Sequence, residues 1–252
     1  VRPIEFHFQD GWVEHSKSGQ PDRDCSQLSI EERESWRSRN LRRAIRLSDT
    51  NSIALNLLVR ARQKLEKVRL EHENAAGLVI ARDILHAKTI ADFLEENGDT
   101  VQLVHSQDKE SAENLASFEE AGTNWLVSVD MCSEGFDSPR IRLVAYLTTI
   151  VTKSRFIQAI TRSVRMSSLR ESIESIPRKP SFVYAPADPL LMEYARFWSI
   201  SKPYLIAENS SDQLSELGSC KSAAPSLSLE AVNDGAGKLI EIASIQLPQF
   251  LK

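Results

Sequence analysis

The sequence predicts an α/β protein: a three-layer α/β/α parallel sheet with an N-terminal helical extension and a C-terminal appendage. Short, apolar, β-branched runs alternate with helical patterns between Gly77 and Ala185. This alternation is typical of a parallel sheet with helices on both faces. With 41% hydrophobic residues, the 252-residue chain can bury a sizeable core. We expect ligands at the carboxyl ends of the strands.

The first predicted segment, residues 1–75, holds a strand, a loop and helices. Apolar periodicity, Gly and Pro positions and a capping-box pattern set its elements. In order, they are a strand of a linker or sheet edge (Val1–Val13), a polar loop (14–27), a helix from a Ser29–Glu32 capping box to about Leu47, and a helix from about Ser52 to His72.

The first of these helices is rich in arginine. Two interpretations are open: contact with phosphate, or a solvated face balanced by neighbouring glutamates. The second is favoured because charge runs of this kind are usually surface. The arginines are Arg33, Arg37, Arg39, Arg42, Arg43 and Arg46.

The second segment, residues 76–186, carries the alternating pattern, and the third, residues 187–252, is the appendage. The predicted order in the second is strand Gly77–Ala81, helix Ile84–Glu96, strand Thr100–Val104, helix Lys109–Ala121, strands Trp125–Val129 and Leu143–Thr148, helix Ser154–Met166 and strand Phe182–Ala185. The third is predicted as a helix from about Leu190 to Ile200, a loose connector over 208–234 and a strand Lys238–Leu247.

Positive charge is concentrated in one stretch although the net charge is -4. Residues 153–179 hold seven basic and two acidic side chains, whereas residues 186–252 hold eight acidic and five basic ones. The local excess, rather than the total, therefore indicates where an anionic ligand binds.

The three cysteines are far apart, which indicates neither a disulfide framework nor a zinc site. No apolar run reaches 18 residues, so no membrane span is expected. These features predict a cytoplasmic location. The strand-like start at Val1 indicates a piece of a longer protein.

The stretch Leu126–Met166 carries the strongest functional pattern. After a short apolar strand comes a turn with Gly135 and Asp137, and the later helix places Gln158, Arg162 and Arg165 at positions i, i+4 and i+7 of one face. Two guanidinium groups on a rigid helix suit recognition of phosphate oxygens. The alternative is that these arginines pair with carboxylates such as Asp137.

This stretch resembles a known family. The spacing from Gln158 to Arg165 resembles the QxxGRxxR signature of superfamily 2 helicases and translocases, and SEGFDSPRI resembles the motif that precedes it. The chain is thus similar, over about Ala76–Ala185, to the C-terminal (second) RecA-like lobe of a DEAD/DEAH-type helicase, nearest to restriction-subunit and XPB-like helicases. Thr161 stands where the family has glycine, a departure that affects the expected arginine geometry.

The resemblance implies roles for the motif residues. Arg162 and Arg165 would be arginine fingers facing the γ-phosphate of ATP, and Gln158 would couple the nucleotide to the cleft. Gly135 and Asp137 would contact the nucleotide and couple it to nucleic acid.

Nucleic-acid contact is implied at Arg82, His105 and Ser106, which follow the first two strands of the second segment. These positions and the arginines are all expected at the carboxyl ends of the strands. Without the resemblance, His105 is more often a satisfied loop histidine.

The sequence has no GxxxxGK[ST] loop and no DExD/H pair. The resemblance then implies that ATP and Mg²⁺ are bound mainly by a first RecA-like lobe of the same full-length protein, and that this fragment alone is inactive. DNA is the expected partner, with RNA possible; no metal site of its own is expected. The alternative is a non-catalytic α/β nucleic-acid or protein interaction module. An oxidoreductase domain is disfavoured because no GxGxxG follows a strand.

Overall fold

A computed structural model describes residues 2–16, 23–47, 52–107, 111–120, 122–129, 138–167, 174–175, 178–201, 227–233 and 238–245. The strands are β1 (Ile4–Gln9), β2 (Trp12–Ser16), β3 (Arg23–Gln27), β4 (Ala76–Ala81), β5 (Val101–Val104), β6 (Trp125–Val129), β7 (Ile141–Leu147), β8 (Ser181–Pro186), β9 (Leu227–Asn233) and β10 (Lys238–Ile245). The helices are α1 (Glu34–Ala44), α2 (Ile53–Glu71), α3 (Ile84–Glu96), α4 (Ser111–Glu120), α5 (Lys153–Thr161), a 3₁₀ turn (Arg162–Val164) and α6 (Pro189–Ser201).

The main sheet has eight strands in the order β5-β6-β4-β7-β8-β1-β10-β9. The first six are parallel, and β10 and β9 extend the sheet in antiparallel fashion. Every residue of β4, β7 and β8 is buried, as expected for strands covered on both faces. The predicted α/β parallel sheet is confirmed.

Helices cover both faces of this sheet and make three layers. On one face, α1, α2 and α3 pack apolar side chains against the sheet, and α2 contributes the seam Leu58, Ala61, Leu65 and Val68 that its periodicity predicts. On the other face, Phe118 of α4, Phe156 of α5 and Leu191 of α6 share a second core. None of the described helices has the length and apolar character that crossing a bilayer requires.

The N-terminal strand differs from the prediction in its position. β1 does not lie at a sheet edge but between β8, which it pairs with in parallel, and β10. The residues predicted as a polar loop instead form β2 and β3, an antiparallel hairpin from Trp12↔Gln27 to Ser16↔Arg23. Periodicity could not reveal these pairings, because the partners of β1 lie far away in the sequence.

The predicted capping box at Ser29 is wrong. The helix begins at Glu34, five residues later, and its N-cap Arg33 has no side-chain cap. Ser29 instead donates from its backbone N–H and its hydroxyl to the carboxylate of Asp10, at 3.1 and 2.6 Å. The serine that would cap a helix is therefore bound to the end of β1.

The appendage is partly as predicted. α6 begins at Pro189 and β10 begins at Lys238, but β9 occupies Leu227–Asn233, within the predicted connector. Alternation of Leu227, Leu229 and Ala231 with polar residues is a strand pattern. The division into residues 1–75, 76–186 and 187–252 stays a prediction.

Candidate functional site

The carboxyl ends of the six parallel strands meet at one edge of the sheet, here called the carboxyl edge. Arg82 follows the last residue of β4 at this edge, and His105 and Ser106 follow the last residue of β5. β6 lies between β4 and β5. The three residues predicted to contact nucleic acid therefore lie along the expected edge, and their role stays a prediction.

Arg82 belongs to a small polar cluster at the start of α3. Its Nε donates to Asp83 Oδ2 at 2.6 Å, and its backbone N–H donates to Nδ1 of His86 at 3.2 Å. Asp83 is the N-cap of α3 and accepts the backbone N–H of His86 at 2.8 Å. A third of the Arg82 side chain is exposed, so part of its guanidinium faces solvent.

The titratable groups of this cluster are held in defined charge states. The hydrogen bond from the His86 backbone, with help from Arg82, lowers the pKa of Asp83 below its usual value and keeps this carboxyl ionised. Burial lowers the pKa of His86, which the nearby Arg82 also lowers, although the Ile45 backbone and Asp83 oppose the change. His86 is therefore a neutral, structural side chain beside Arg82.

His105 is half-buried, whereas Ser106 and the following Gln107 are exposed. Its Nδ1 atom is shielded from solvent and has no hydrogen-bond partner among the described residues. The exposed hydroxyl of Ser106 is placed to bind a backbone phosphate without reading its sequence. Gly135 and Asp137 lie outside the described residues.

The motif helix α5 is amphipathic. Phe156, Ala159 and Ile160 are buried against the sheet, and Gln158 is exposed on the opposite side. Thr161, in the glycine position, donates its hydroxyl to the carbonyl of Gln158 at 2.9 Å. This short-range bond belongs to the final turn, because α5 ends at Thr161 and a 3₁₀ turn follows.

The predicted helix to Met166 is therefore too long, and the single face of i, i+4 and i+7 positions is not formed. Arg165 has an extended backbone, with φ -72° and ψ 152°. Its side chain is exposed and that of Arg162 is half-buried. Arg162 lies in the 3₁₀ turn and Arg165 is extended. Their side chains therefore do not continue the helix face that carries Gln158.

The expected position of Arg162 and Arg165 at the carboxyl edge is also wrong. Ser163, between them, accepts a hydrogen bond on its carbonyl from the hydroxyl of Ser181 at 2.5 Å, and Ser181 is the first residue of β8. Both arginines therefore lie near the amino-terminal edge. The reason is topological: a crossover helix that leaves the carboxyl end of one parallel strand returns to the amino end of the next.

The amino-terminal edge carries further charge. Arg2, fully buried, is bonded to Glu174, and Lys179 pairs with Glu71 at 2.5 Å. Lys179 and a nearby Coulombic contribution from His72 lower the pKa of Glu71. Both carboxylates, Glu174 and Glu71, therefore pair with cations of the same edge.

Two carboxylates of the carboxyl edge were not singled out by sequence reasoning. Asp10, after β1, accepts hydrogen bonds from Gly11, Gln27 and Ser29. Asp188, after β8, is fully buried, accepts the Leu190 backbone N–H at 3.0 Å and lies 3.7 Å from Arg37 Nε. An Asp within two residues of a strand end, before Gly11 or Pro189, is the signal that could have identified them.

The pKa values of Asp10 and Asp188 shift in opposite directions. Burial raises the pKa of Asp188, and the Leu190 backbone and Arg37 only partly offset it. Burial also acts to raise the pKa of Asp10, but its bonds from Ser29, Gln27 and Gly11 outweigh that and lower it. In the described ranges, no group of three or more His, Cys, Asp or Glu is arranged to hold a metal ion.

Residues 60–167 match the family described as helicase conserved C-terminal domain. This segment is similar to helicase C-terminal domains. The match includes β4 to the 3₁₀ turn and therefore all of the predicted site residues, and it bears out the predicted likeness to the C-terminal lobe of a helicase. The narrower likeness to restriction-subunit and XPB-like helicases stays a prediction.

Individual relatives cover only part of the chain. An uncharacterised protein of Mycobacterium leprae is 32% identical over 136 residues, which are 54% of this chain and 22% of that protein. A protein of Sulfolobus islandicus filamentous virus, whose name describes a helicase candidate, is 36% identical over 92 residues, 36% of this chain and 16% of its own length. The chain thus spans about a quarter or less of these relatives.

The chain is also similar to a solved structure, the second domain of the DEAD-box helicase Mss116p bound to an RNA duplex. The TM-score is 0.43 and the identity is 14%, with 60% of this chain and 57% of that chain covered.

Proposed function

We propose that this chain is the second motor lobe of an ATP-dependent nucleic-acid helicase or translocase. The observation that carries the proposal is the family match over residues 60–167, which contains the arginine pair and the carboxyl-edge residues Arg82, His105 and Ser106. ATP and Mg²⁺ would be held mainly by a first RecA-like lobe in the same full-length protein. A cytoplasmic location, suggested by the cysteine pattern, belongs to the same proposal.

Arg162 and Arg165 would act on the nucleotide. Transfer of a phosphoryl group to water develops charge on the phosphate oxygens, and an arginine from across a cleft stabilises that charge. Bound Mg²⁺ supplies further charge neutralisation in this reaction class. Because Arg165 is exposed near the amino-terminal edge, the first lobe would approach that edge rather than the carboxyl edge.

Gln158, on the exposed side of α5, would help to couple the nucleotide to the cleft, and Gly135 and Asp137 would serve the same coupling after β6. The role of Gln158 is supported by its exposure and by the bond that ties its carbonyl to Thr161.

Nucleic acid would lie along the carboxyl edge, against Arg82, His105 and Ser106. DNA is the preferred partner and RNA is possible. The two proposed sites are then separated by the length of the strands: β7 has seven residues, which corresponds to roughly 20 Å. Closure of the lobes on ATP would move the rigid sheet, and with it the nucleic-acid-binding residues at its far edge.

The test is nucleic-acid-stimulated ATP hydrolysis by the full-length protein with Arg165→Ala. Loss of an arginine finger lowers turnover by about a thousandfold or more in this class, while nucleic-acid affinity should change little. Arg155→Ala is the matched control, because Arg155 is an exposed arginine of the same helix. Turnover equal to that of the control variant would reject the arginine role.

One observation favours the non-catalytic interaction module as a second candidate. Thr161 replaces the glycine of the motif, and its side chain occupies space beside the carbonyl of Gln158. A module of that kind would bind nucleic acid or protein with no stimulated ATP hydrolysis in the full-length protein, so the same assay separates the two functions.

A further inference from the structure

α1 lies across the carboxyl edge rather than on one strand. Near its start, Arg37 Nε is 3.7 Å from Asp188, the second residue after β8. At its end, the backbone of Ile45 lies close to the ring of His86 in the first turn of α3, beside the end of β4. Because β7 separates β8 from β4, the helix spans the ends of three strands.

The outer face of α1 is a row of arginines. Asn40, Leu41, Ala44 and Ile45 are buried, so the helix has a fixed inward face. The spacing i, i+3, i+4 and i+7 places the exposed arginines together on the other face. We name them the arginine ladder: Arg39, Arg42, Arg43 and Arg46.

No acidic side chain in the described part of the chain forms an ion pair with the ladder. Residues 33–46 contain six arginines and one glutamate, in a chain whose net charge is -4. The dipole of α1 favours cations in its last turn, where Arg42 and Arg43 lie. It does not account for Arg39, which lies more than a turn from the helix end, nor for the accumulation of four like charges on one face.

We infer that the arginine ladder binds the phosphate backbone of a nucleic-acid strand and extends the carboxyl-edge track from Arg82 across β7 toward β8. A helical turn places successive guanidinium groups about 5.4 Å apart, which presents a row of cations to a chain of anions. This surface goes beyond the proposed function, because α1 precedes the matched segment, which begins at residue 60.

The chemistry of the face favours nucleic acid over an acidic protein partner. Protein interfaces depend on a central aromatic or aliphatic anchor. Apart from Glu34 in the first turn, the exposed positions of α1 carry serine and arginine, such as Ser35 and Ser38. An exposed aromatic side chain also follows β1 at this edge. Trp12 is the third residue after the end of β1 and is 71% exposed. Aromatic side chains beside a basic groove are platforms for stacked bases.

The experiment measures binding of a fluorescein-labelled 20-nucleotide oligothymidylate, and of the matching oligouridylate, to the full-length protein without ATP. The variant is Arg42→Gln with Arg43→Gln. Anisotropy titrations at several salt concentrations give the dissociation constant and its salt slope. The control is Lys67→Gln with Arg155→Gln, which removes the same charge from exposed positions on α2 and α5.

We expect the ladder variant to weaken binding of both probes at least tenfold at low salt and to make the salt slope shallower by up to about 1.4, since each phosphate contact to a single strand contributes roughly 0.7. The control should change the slope little. A dissociation constant and slope equal to those of the control would overturn the inference.

Two controls distinguish loss of nucleic-acid binding from loss of folding and from loss of motor activity. The substituted side chains are exposed, so the thermal midpoint should be unchanged; an unfolded double variant would be replaced by Arg39→Gln with Arg46→Gln, which must give the same loss. Because the binding assay contains no ATP, its result is independent of the Arg165→Ala ATPase test. Either test can therefore succeed while the other fails.

Discussion

At the residue scale, His86 shows how the carboxyl edge is fixed. Its ring accepts the backbone N–H of Arg82, its backbone N–H is bound by Asp83, and its ring lies near the end of α1 at Ile45. The neutral form is needed for the first of these bonds, because a protonated imidazole has no acceptor nitrogen. One side chain therefore joins β4, α3 and α1.

The pH dependence of stability should report this histidine. Its pKa in the folded state is lowered from 6.5 by burial and by Arg82, so the unfolded state binds more protons as the pH falls through 6.5. The free energy of unfolding should fall below that pH, by up to about 1.4 kcal/mol per pH unit. Urea unfolding at pH 7.5, 6.5 and 5.5 measures it.

The matched variant is His86→Gln, which keeps a polar side chain but removes the titrating group. Its stability should decline less between pH 7.5 and 5.5 than that of the unmodified chain. Identical declines would show that other groups cause the pH dependence.

A second residue-scale prediction concerns Gly77 in β4. A Cβ atom at this position would lie 2.3 Å from the ring of Trp125, its partner in β6, which is fully buried. Gly77→Ala should therefore lower the free energy of unfolding by about 1–3 kcal/mol, the usual cost of overpacking. Gly122→Ala, with no atom within 4 Å of the added carbon, should cost far less. Guanidinium unfolding of both variants decides; equal effects would contradict the packing.

Residue positions could be predicted from sequence where they depend on local pattern. Arg82 and His105 were placed at strand ends because a strand end is a local signal. The ion pair of Asp188 with Arg37 and the contact of His86 with Ile45 join residues far apart in the chain. Such contacts depend on the order of the strands in the sheet, and local sequence patterns do not reveal that order.

At the scale of elements, Asp10 holds the β2–β3 hairpin to the main sheet. Its carboxylate accepts the side chain of Gln27 at 2.5 Å and both donors of Ser29, so the end of β3 is tied to the end of β1. These bonds explain why the residues around Ser29 form a turn rather than the first turn of α1.

Asp10→Ala should destabilise the chain by about 1–3 kcal/mol, because the partly buried donors of Gly11, Gln27 and Ser29 lose their acceptor. In this variant, the backbone amides of β2 and β3 should exchange with deuterium faster than in the unmodified chain, whereas those of β4 and β7 should change less. Asp92→Ala, at an exposed position of α3, is the control. Unchanged protection of the hairpin would show that the Asp10 bonds do not hold it.

The motif element α5 shows the limit of helical periodicity. A pattern that runs to Met166 predicted one helix, but Ser163 donates its hydroxyl to the Ile160 carbonyl while its own carbonyl accepts from Ser181 of β8. Tertiary contact with the start of β8 accompanies the tightening of the last turn into a 3₁₀ conformation. The same contact moves the arginine pair to the amino-terminal edge.

At the scale of the whole molecule, the predicted second segment is not packed alone. β1 pairs along its full length with β8, and α2 supplies six buried side chains over one face of the sheet. Removal of residues 1–75 would expose both the edge of β8 and that apolar face.

We therefore expect residues 76–186, produced alone, to lack a cooperative thermal transition, whereas the chain with residues 1–75 retained unfolds cooperatively. Far-ultraviolet circular dichroism during heating measures both. A cooperative transition of the shorter piece would support residue 76 as a folding boundary.

The central claim is that the guanidinium groups of Arg162 and Arg165 complete an ATP site whose other side belongs to a first lobe. The most direct measurement is a structure of the full-length protein with ADP, aluminium fluoride, Mg²⁺ and a nucleic-acid strand. We predict that at least one of the two guanidinium groups lies about 2.7–3.2 Å from the fluoride ligands, with the first lobe at the amino-terminal edge. A nucleotide facing the carboxyl edge, with both arginines turned away from it, would contradict the account.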